Sequence, residues 1–162
     1  IIVMFSDHGF HLGEKKHWRK FPLWEESPRV PFVVIAPGLT KPDQVCERTV
    51  SLLDIYPTLI DLCTLSSRSG LEGNSLVPLL QAPTAPRDYP ASTTQGMGNH
   101  AVRTERWRYI RYNDGTEELY DHQTDPDEWY NLARKSEFTK LKTELAKWLP
   151  KINAPDAPVQ KK

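Results

Sequence analysis

The sequence predicts an α/β fold whose first part is layered and whose last part is a small antiparallel sheet with a helix. Two continuous apolar runs, residues 1–6 and 30–36, have the character of strands covered on both faces. Between residues 49 and 65 the apolar residues recur at helical spacing. After residue 100 the pattern changes to strand-type alternation broken by turn residues, and an amphipathic helical stretch closes it. Uniformly apolar strands alternating with a helix define the α/β class.

In chain order, residues 1–6 read as a buried strand with no initiator Met, basic segment or small-residue cleavage site ahead of it. The expectation is that the chain was cut from a longer protein, and that this strand finds neighbours in sequence outside it. Residues 7–26 form a polar loop punctuated by Gly9 and Gly13, and residues 30–36 a second buried strand closed by Pro37-Gly38. Val50, Leu53, Tyr56, Leu59, Ile60 and Cys63 mark the face of a helix in which Pro57 forces a kink or a restart. Residues 66–74 are rich in Ser and Gly, 75–81 are a short apolar patch, and 82–90, with Pro83, Pro86 and Pro90, are a surface connection.

Residues 101–104 and 107–112 alternate as strands, and Asn113-Asp114-Gly115 turns the chain into a third strand at 118–121. Residues 138–149 form a helix with Phe138, Leu141, Leu145 and Trp148 on one face. The chain therefore divides into an α/β segment (1–82), a sheet-plus-helix subdomain (83–150) and a flexible tail (151–162).

A chain of 162 residues buries roughly two-thirds of the surface its unfolded form exposes, enough for a core. Lys and Arg total 21 and Asp and Glu total 21, so nothing in the charge balance points to nucleic acid or a membrane surface. No apolar run approaches the roughly 18 residues of a membrane span. Cys46 and Cys63 belong to no CxxC or Cys/His pattern and read as ordinary thiols, which leaves the compartment open.

Ligands of open α/β sheets sit beyond the carboxyl ends of the strands, and Asp7-His8-Gly9 falls at such an end. Asp offers a hard oxygen and His an imidazole nitrogen to a metal, and Gly9 lets the backbone turn away sharply. On local chemistry alone the tripeptide also reads as an Asp-capped turn. The loop that follows places His11, Lys15, Lys16, His17, Arg19 and Lys20 nearby, which suits an anionic substrate, although most charge runs are simply solvated. Trp18, Phe21 and Trp24 among these cations argue for a packed loop, with Lys20 pinned between Trp18 and Phe21. Arg29 reads as an ion-pair partner of Glu25 or Glu26, and His11 and His17 as surroundings of the pocket. His100, beside Gly98-Asn99, is a candidate substrate contact.

Ser6-Asp7-His8-Gly9, Leu12-Gly13-Glu14, Trp18, Lys20, Arg29-Val30-Pro31-Phe32 and Pro37-Gly38 resemble, in that order, the second half of type I sulfatases, closest to iduronate-2-sulfatase and choline-sulfatase-like members. The resemblance continues through residues 51–59, 101–104, 109–112 and 118–121, with Asp125-Pro126 and Asn131-Leu132, and covers roughly 1–149. It implies part of an alkaline-phosphatase-like α/β/α sandwich followed by a C-terminal subdomain. It also implies a mechanism in which a Cys or Ser converted to formylglycine attacks the sulfur of a sulfate ester while Ca2+ neutralises the sulfate oxygens. Asp7 and His8 match two metal ligands, and Lys20 matches the lysine that contacts sulfate and stabilises the leaving oxygen.

The pattern is incomplete. Neither Cys46-Glu47-Arg48-Thr49 nor Cys63-Thr64-Leu65-Ser66 fits the Cys/Ser-x-Pro/Ala-x-Arg nucleophile motif, and the first Asp pair and the upstream acid His are missing. Two ligands do not fill a calcium shell of roughly 6–8 oxygens, so the chain by itself is expected to be inactive. The implied partners are a sulfated small molecule or carbohydrate and an N-terminal remainder of the same protein, in a periplasmic, secreted or lysosomal setting. A phosphonate or phosphate ester hydrolase of the same superfamily, or a non-catalytic remnant, are the alternative readings.

Overall fold

The structure, a computed structural model, describes residues 1–155; the rest of the predicted tail, 156–162, lies outside the described residues. The chain forms two compact units, residues 1–7 with 31–91 and residues 8–30 with 92 onward. The cation-rich loop thus folds with the C-terminal residues, although it lies early in the chain.

In the first unit, β1 (Ile2–Phe5) pairs antiparallel with β2 (Phe32–Ile35), Ile2 opposite Ile35 and Phe5 opposite Phe32. Both were expected to be buried, yet Ile2, Met4, Phe5, Val33 and Ile35 are exposed in this chain. A two-stranded ribbon cannot enclose its own faces, and apolar residues at every position call for a layer on each side. Of the kink or restart expected at Pro57, the structure has the restart. A turn of 3-10 helix (Leu52–Asp54) leads into α1 (Ile55–Leu62), so Pro57 falls in the first turn, where its missing N–H costs no hydrogen bond. The short apolar patch becomes α2 (Val77–Gln81), with Leu76 and Leu79 buried.

Asp54 organises this unit. Its carboxylate accepts from Ser51 N (2.8 Å), closing a capping box, from Asn74 N (2.8 Å) and from Arg87 Nη2 (2.7 Å). Thr58 Oγ1 donates to Asp54 O (2.6 Å) and accepts from Leu76 N (2.8 Å), joining the two helices.

The second unit holds a four-stranded sheet in chain order: β3 (Ala91–Thr94), β4 (His100–Arg103), β5 (Trp107–Arg111) and β6 (Glu117–Asp121). The β5–β6 turn is where Asn113-Asp114-Gly115 predicts it. Gly115 takes a left-handed φ of 84°, and Asp114 Oδ1 accepts from Thr116 N and Oγ1. β3 escaped the sequence reading, because Ala-Ser-Thr-Thr has no apolar alternation.

Alternation sorts β4–β6 into two faces. Val102, Tyr109 and Leu119 pack with Ala133, Leu145 and Leu149, beneath α3 (Thr139–Ala146). Ala101, Ile110 and Tyr120 pack with Leu23, so the other face is covered by the loop of residues 8–30. Each such residue taken from water contributes about 1.5–3 kcal/mol. Phe138 and Leu141 join the helix-side core as expected, whereas Trp148 is largely exposed. The motif residues Asp125 and Asn131 are structural. Asp125 accepts from Trp129 N and Tyr130 N, and Asn131 Oδ1 accepts from Leu119 N and Ala133 N.

Candidate functional site

Asp7 lies two residues past the end of β1 and is exposed; His8, next in the chain, is half-buried. His8 Nδ1 lies 2.9 Å from Gly9 O. A carbonyl only accepts, so Nδ1 donates, and in the neutral imidazole that arrangement leaves Nε2 as the acceptor nitrogen. Asp7 offers a carboxylate oxygen, the donor a hard cation such as calcium takes, and His8 an imidazole nitrogen.

Gly9 serves a purpose other than the sharp turn expected of it. Its N donates to Ser27 O at 2.6 Å, and a Cβ there would fall 2.1 Å from Glu26 O. Only glycine lets the two backbone segments approach so closely.

Phe21 links His8 to Lys20. The His8 ring meets it edge-on at 5.6 Å, and Lys20 Nζ lies 4.8 Å from its centroid. Phe21 holds φ at 83°, uncommon for a bulky residue and a mark of a locally strained loop. Trp18 takes no part in holding Lys20; it sits over Gly13, whose ideal Cβ would lie 3.1 Å from the Trp18 ring.

The six cations of the loop divide. Lys16, Arg19 and Lys20 are exposed. Lys15 turns inward, donating to Tyr120 Oη (3.1 Å) and Glu128 O over the rings of Trp24 and Tyr120, and burial lowers its pKa. His11 is 1% exposed and packs edge-on against His17 and Trp24; burial and the His17 neighbour pull its pKa below 6.5. Arg29 does not take the ion pair expected of it. Its N donates to Glu25 O, while the Glu25 carboxylate pairs with Arg103 (3.1 Å) and Arg108.

His100 opens β4. It is 6% exposed, with Nδ1 2.9 Å from Thr94 Oγ1 and Nε2 2.5 Å from Asn153 Oδ1.

Sequence reasoning missed a cluster at the base of the loop. Glu25, His122 and Glu128 offer donor atoms within 4.8 Å of one another, a spacing open to a cation. Guanidiniums already supply the positive charge there. Arg108 Nε lies 2.6 Å from Glu128 Oε1, and Arg103 Nη2 donates to His122 Nδ1 (2.9 Å), which leaves His122 Nε2 to donate to Glu128 Oε1 (2.8 Å). Burial raises the Glu25 carboxyl, but Arg108 and Arg103 outweigh it and hold the pKa at about 2. Glu128 is likewise held below its ordinary value, its burial offset by His122 and Arg108. No local signal could have shown the pairing of Glu25, whose partners Arg108 and Glu128 stand 83 and 103 positions away.

Comparison with known proteins supports the resemblance. A "Sulfatase" of Formosa agariphila is 43% identical over 154 residues, covering 95% of this chain and 30% of the relative. A solved protein in complex with its substrate D-glucosamine-2-N,6-O-disulfate aligns with a TM-score of 0.72 at 29% identity, over 90% of this chain and 32% of that one. The phosphonate monoester hydrolase of Agrobacterium radiobacter aligns with a TM-score of 0.76 at 27% identity, over 90% and 33%. The chain therefore spans about a third of the length of these proteins. Its fold is the C-terminal portion of an alkaline-phosphatase-like sulfatase, with an antiparallel sheet and a helix. The iduronate-2-sulfatase and choline-sulfatase subtypes are not singled out by these matches. A family model described as N-sulphoglucosamine sulphohydrolase, C-terminal, matches residues 13–154, and the chain belongs to that family.

Proposed function

We propose that the full-length protein containing this chain is a sulfuric ester hydrolase acting on sulfated carbohydrates, with Asp7 and His8 as two ligands of Ca2+ and Lys20 as a catalytic residue. The observation that carries this is the His8–Phe21–Lys20 arrangement, which brings a metal-competent imidazole and an exposed ammonium to one aromatic ring. Bound calcium would supply charge neutralisation at the sulfate oxygens. Lys20 offers a fixed positive charge where the leaving oxygen gains negative charge. Asp7 supplies an anionic oxygen donor, and the contact with Gly9 O leaves His8 Nε2 as the acceptor nitrogen. The nucleophile, a formylglycine, would lie in the N-terminal remainder, with residues 1–82 completing the α/β domain and 83–150 the subdomain. His100 enters as a substrate contact where Asn153 yields its place on Nε2.

The sulfated-sugar substrate of the solved relative supports the substrate class. A second reading, phosphonate or phosphate ester hydrolysis, is favoured by the structural match to the phosphonate monoester hydrolase, since a metal and a lysine serve either anion. Asp7→Ala in the full-length protein is expected to abolish sulfate release, a loss of at least about 100-fold, and to weaken calcium binding in titration calorimetry. Unchanged turnover and calcium affinity would remove Asp7 from the site.

A further inference from the structure

We propose that the ion-pair node of Glu25, Arg108 and Glu128 is a positioning device for catalysis, through which the four-stranded sheet sets the place of Lys20. The inference rests on the reading of Lys20 given above.

Lys20 is bracketed by backbone anchors. His11 N donates to Arg19 O (3.1 Å) on one side, and Phe21 N donates to Ser27 Oγ (3.3 Å) on the other. Ser27 is 3% exposed, and its carbonyl also takes Gly9 N, so one buried residue ties the His8 segment to the Lys20 segment.

Beyond Lys20 the loop is fastened to the sheet. Leu23 O accepts from Arg108 Nη1 (3.0 Å), and Trp24 Nε1 donates to Glu118 Oε2 (2.6 Å). Glu25 N donates to Glu128 Oε2 (2.9 Å), and the Glu25 carboxylate takes Arg103 and Arg108. Ahead of Lys20, Lys15 reaches Tyr120 and the same Glu128. Arg108 and Glu128 are 2% and 1% exposed, so their ion pair is shielded from water.

Holding a loop in place does not require strained backbone. Lys15, Lys16 and Phe21 nevertheless have φ of 52°, 58° and 83°, conformations that persist in non-glycine residues only where the surroundings impose them. These strained residues lie on both sides of Lys20, inside the span that the node and Lys15 secure. The arrangement fixes the backbone from which the Lys20 side chain projects beside Phe21.

The test uses the full-length protein and two sulfate esters, an activated aryl sulfate and a sugar sulfate with a poor leaving group. A lysine at the leaving oxygen matters most for the poor leaving group, so Lys20→Ala is expected to lose roughly 100-fold in kcat on the sugar sulfate and much less on the aryl sulfate. Glu25→Gln and, independently, Trp24→Phe are expected to lose roughly 10-fold in kcat on the sugar sulfate with KM little changed, again sparing the aryl ester. Either change is expected to add almost nothing to Lys20→Ala. If both variants lose the two activities by equal factors, or keep wild-type kcat, the node is structural and the proposal is overturned. If Lys20→Ala itself keeps the wild-type ratio of the two activities, the reading of Lys20 fails and the positioning role with it.

Discussion

Glu25 sits where burial raises a carboxyl pKa and two guanidiniums lower it, and the guanidiniums prevail, moving it from an ordinary 4.5 to about 2. A group whose folded pKa is depressed stabilises the fold above its unfolded pKa and loses that contribution as pH falls through the folded one. For Glu25 the contribution is therefore complete above about pH 4.5 and fades toward pH 2. Urea denaturation across that window is expected to show a steep loss of stability in the wild type and a shallower one in Glu25→Gln. Equal slopes would show that Glu25 pairs as strongly in the unfolded chain as in the folded one. Asp7, His8 and Lys20, the residues proposed for the site, stand out in the sequence because each belongs to a short ordered motif. The expected pairing of Arg29 with Glu25 or Glu26 followed sequence proximity, whereas the Glu25 carboxylate pairs with Arg103 and Arg108.

Among the elements, α1 shows how a capping signal decides between the two outcomes that Pro57 allows. Pro57 could have kinked a long helix; the Ser51–Asp54 capping box instead starts a new one close enough to place Pro57 in its first turn. Asp54 then binds Arg87 across 33 positions, with side chains only 2% and 6% exposed. Removing one member of a buried pair leaves the other uncompensated. Asp54→Ala is thus expected to cost about 3–5 kcal/mol in chemical denaturation; a loss below about 1 kcal/mol, the range of a surface pair, would contradict the buried hub. Strands β4 to β6 were readable because alternation and the Asp114-Gly115 turn are local properties. β3 was not, since its four residues carry no pattern, and neither was the exposure of β1 and β2, whose composition calls for covering layers.

At the scale of the molecule, the loop of residues 8–30 folds onto a sheet built from residues about a hundred positions later, and that association decides what the loop cations do. Lys15 and His11 are drawn inward as anchors, and Lys20 remains outward beside Phe21 and His8. The sequence alone could not show this, because hydrogen bonds such as Lys15 to Tyr120 span 105 positions. Family membership supports the proposed sulfate ester chemistry, and the similarity to a phosphonate monoester hydrolase defines the competing chemistry. The most direct test is kcat/KM of the purified full-length protein on a sulfated glucosamine and on a phosphonate monoester, with and without a calcium chelator. The account predicts that the sulfate ester is preferred by at least about 100-fold, the scale of strong transition-state discrimination, and that chelation abolishes its hydrolysis. Faster turnover of the phosphonate, or sulfate release that survives chelation, would contradict it.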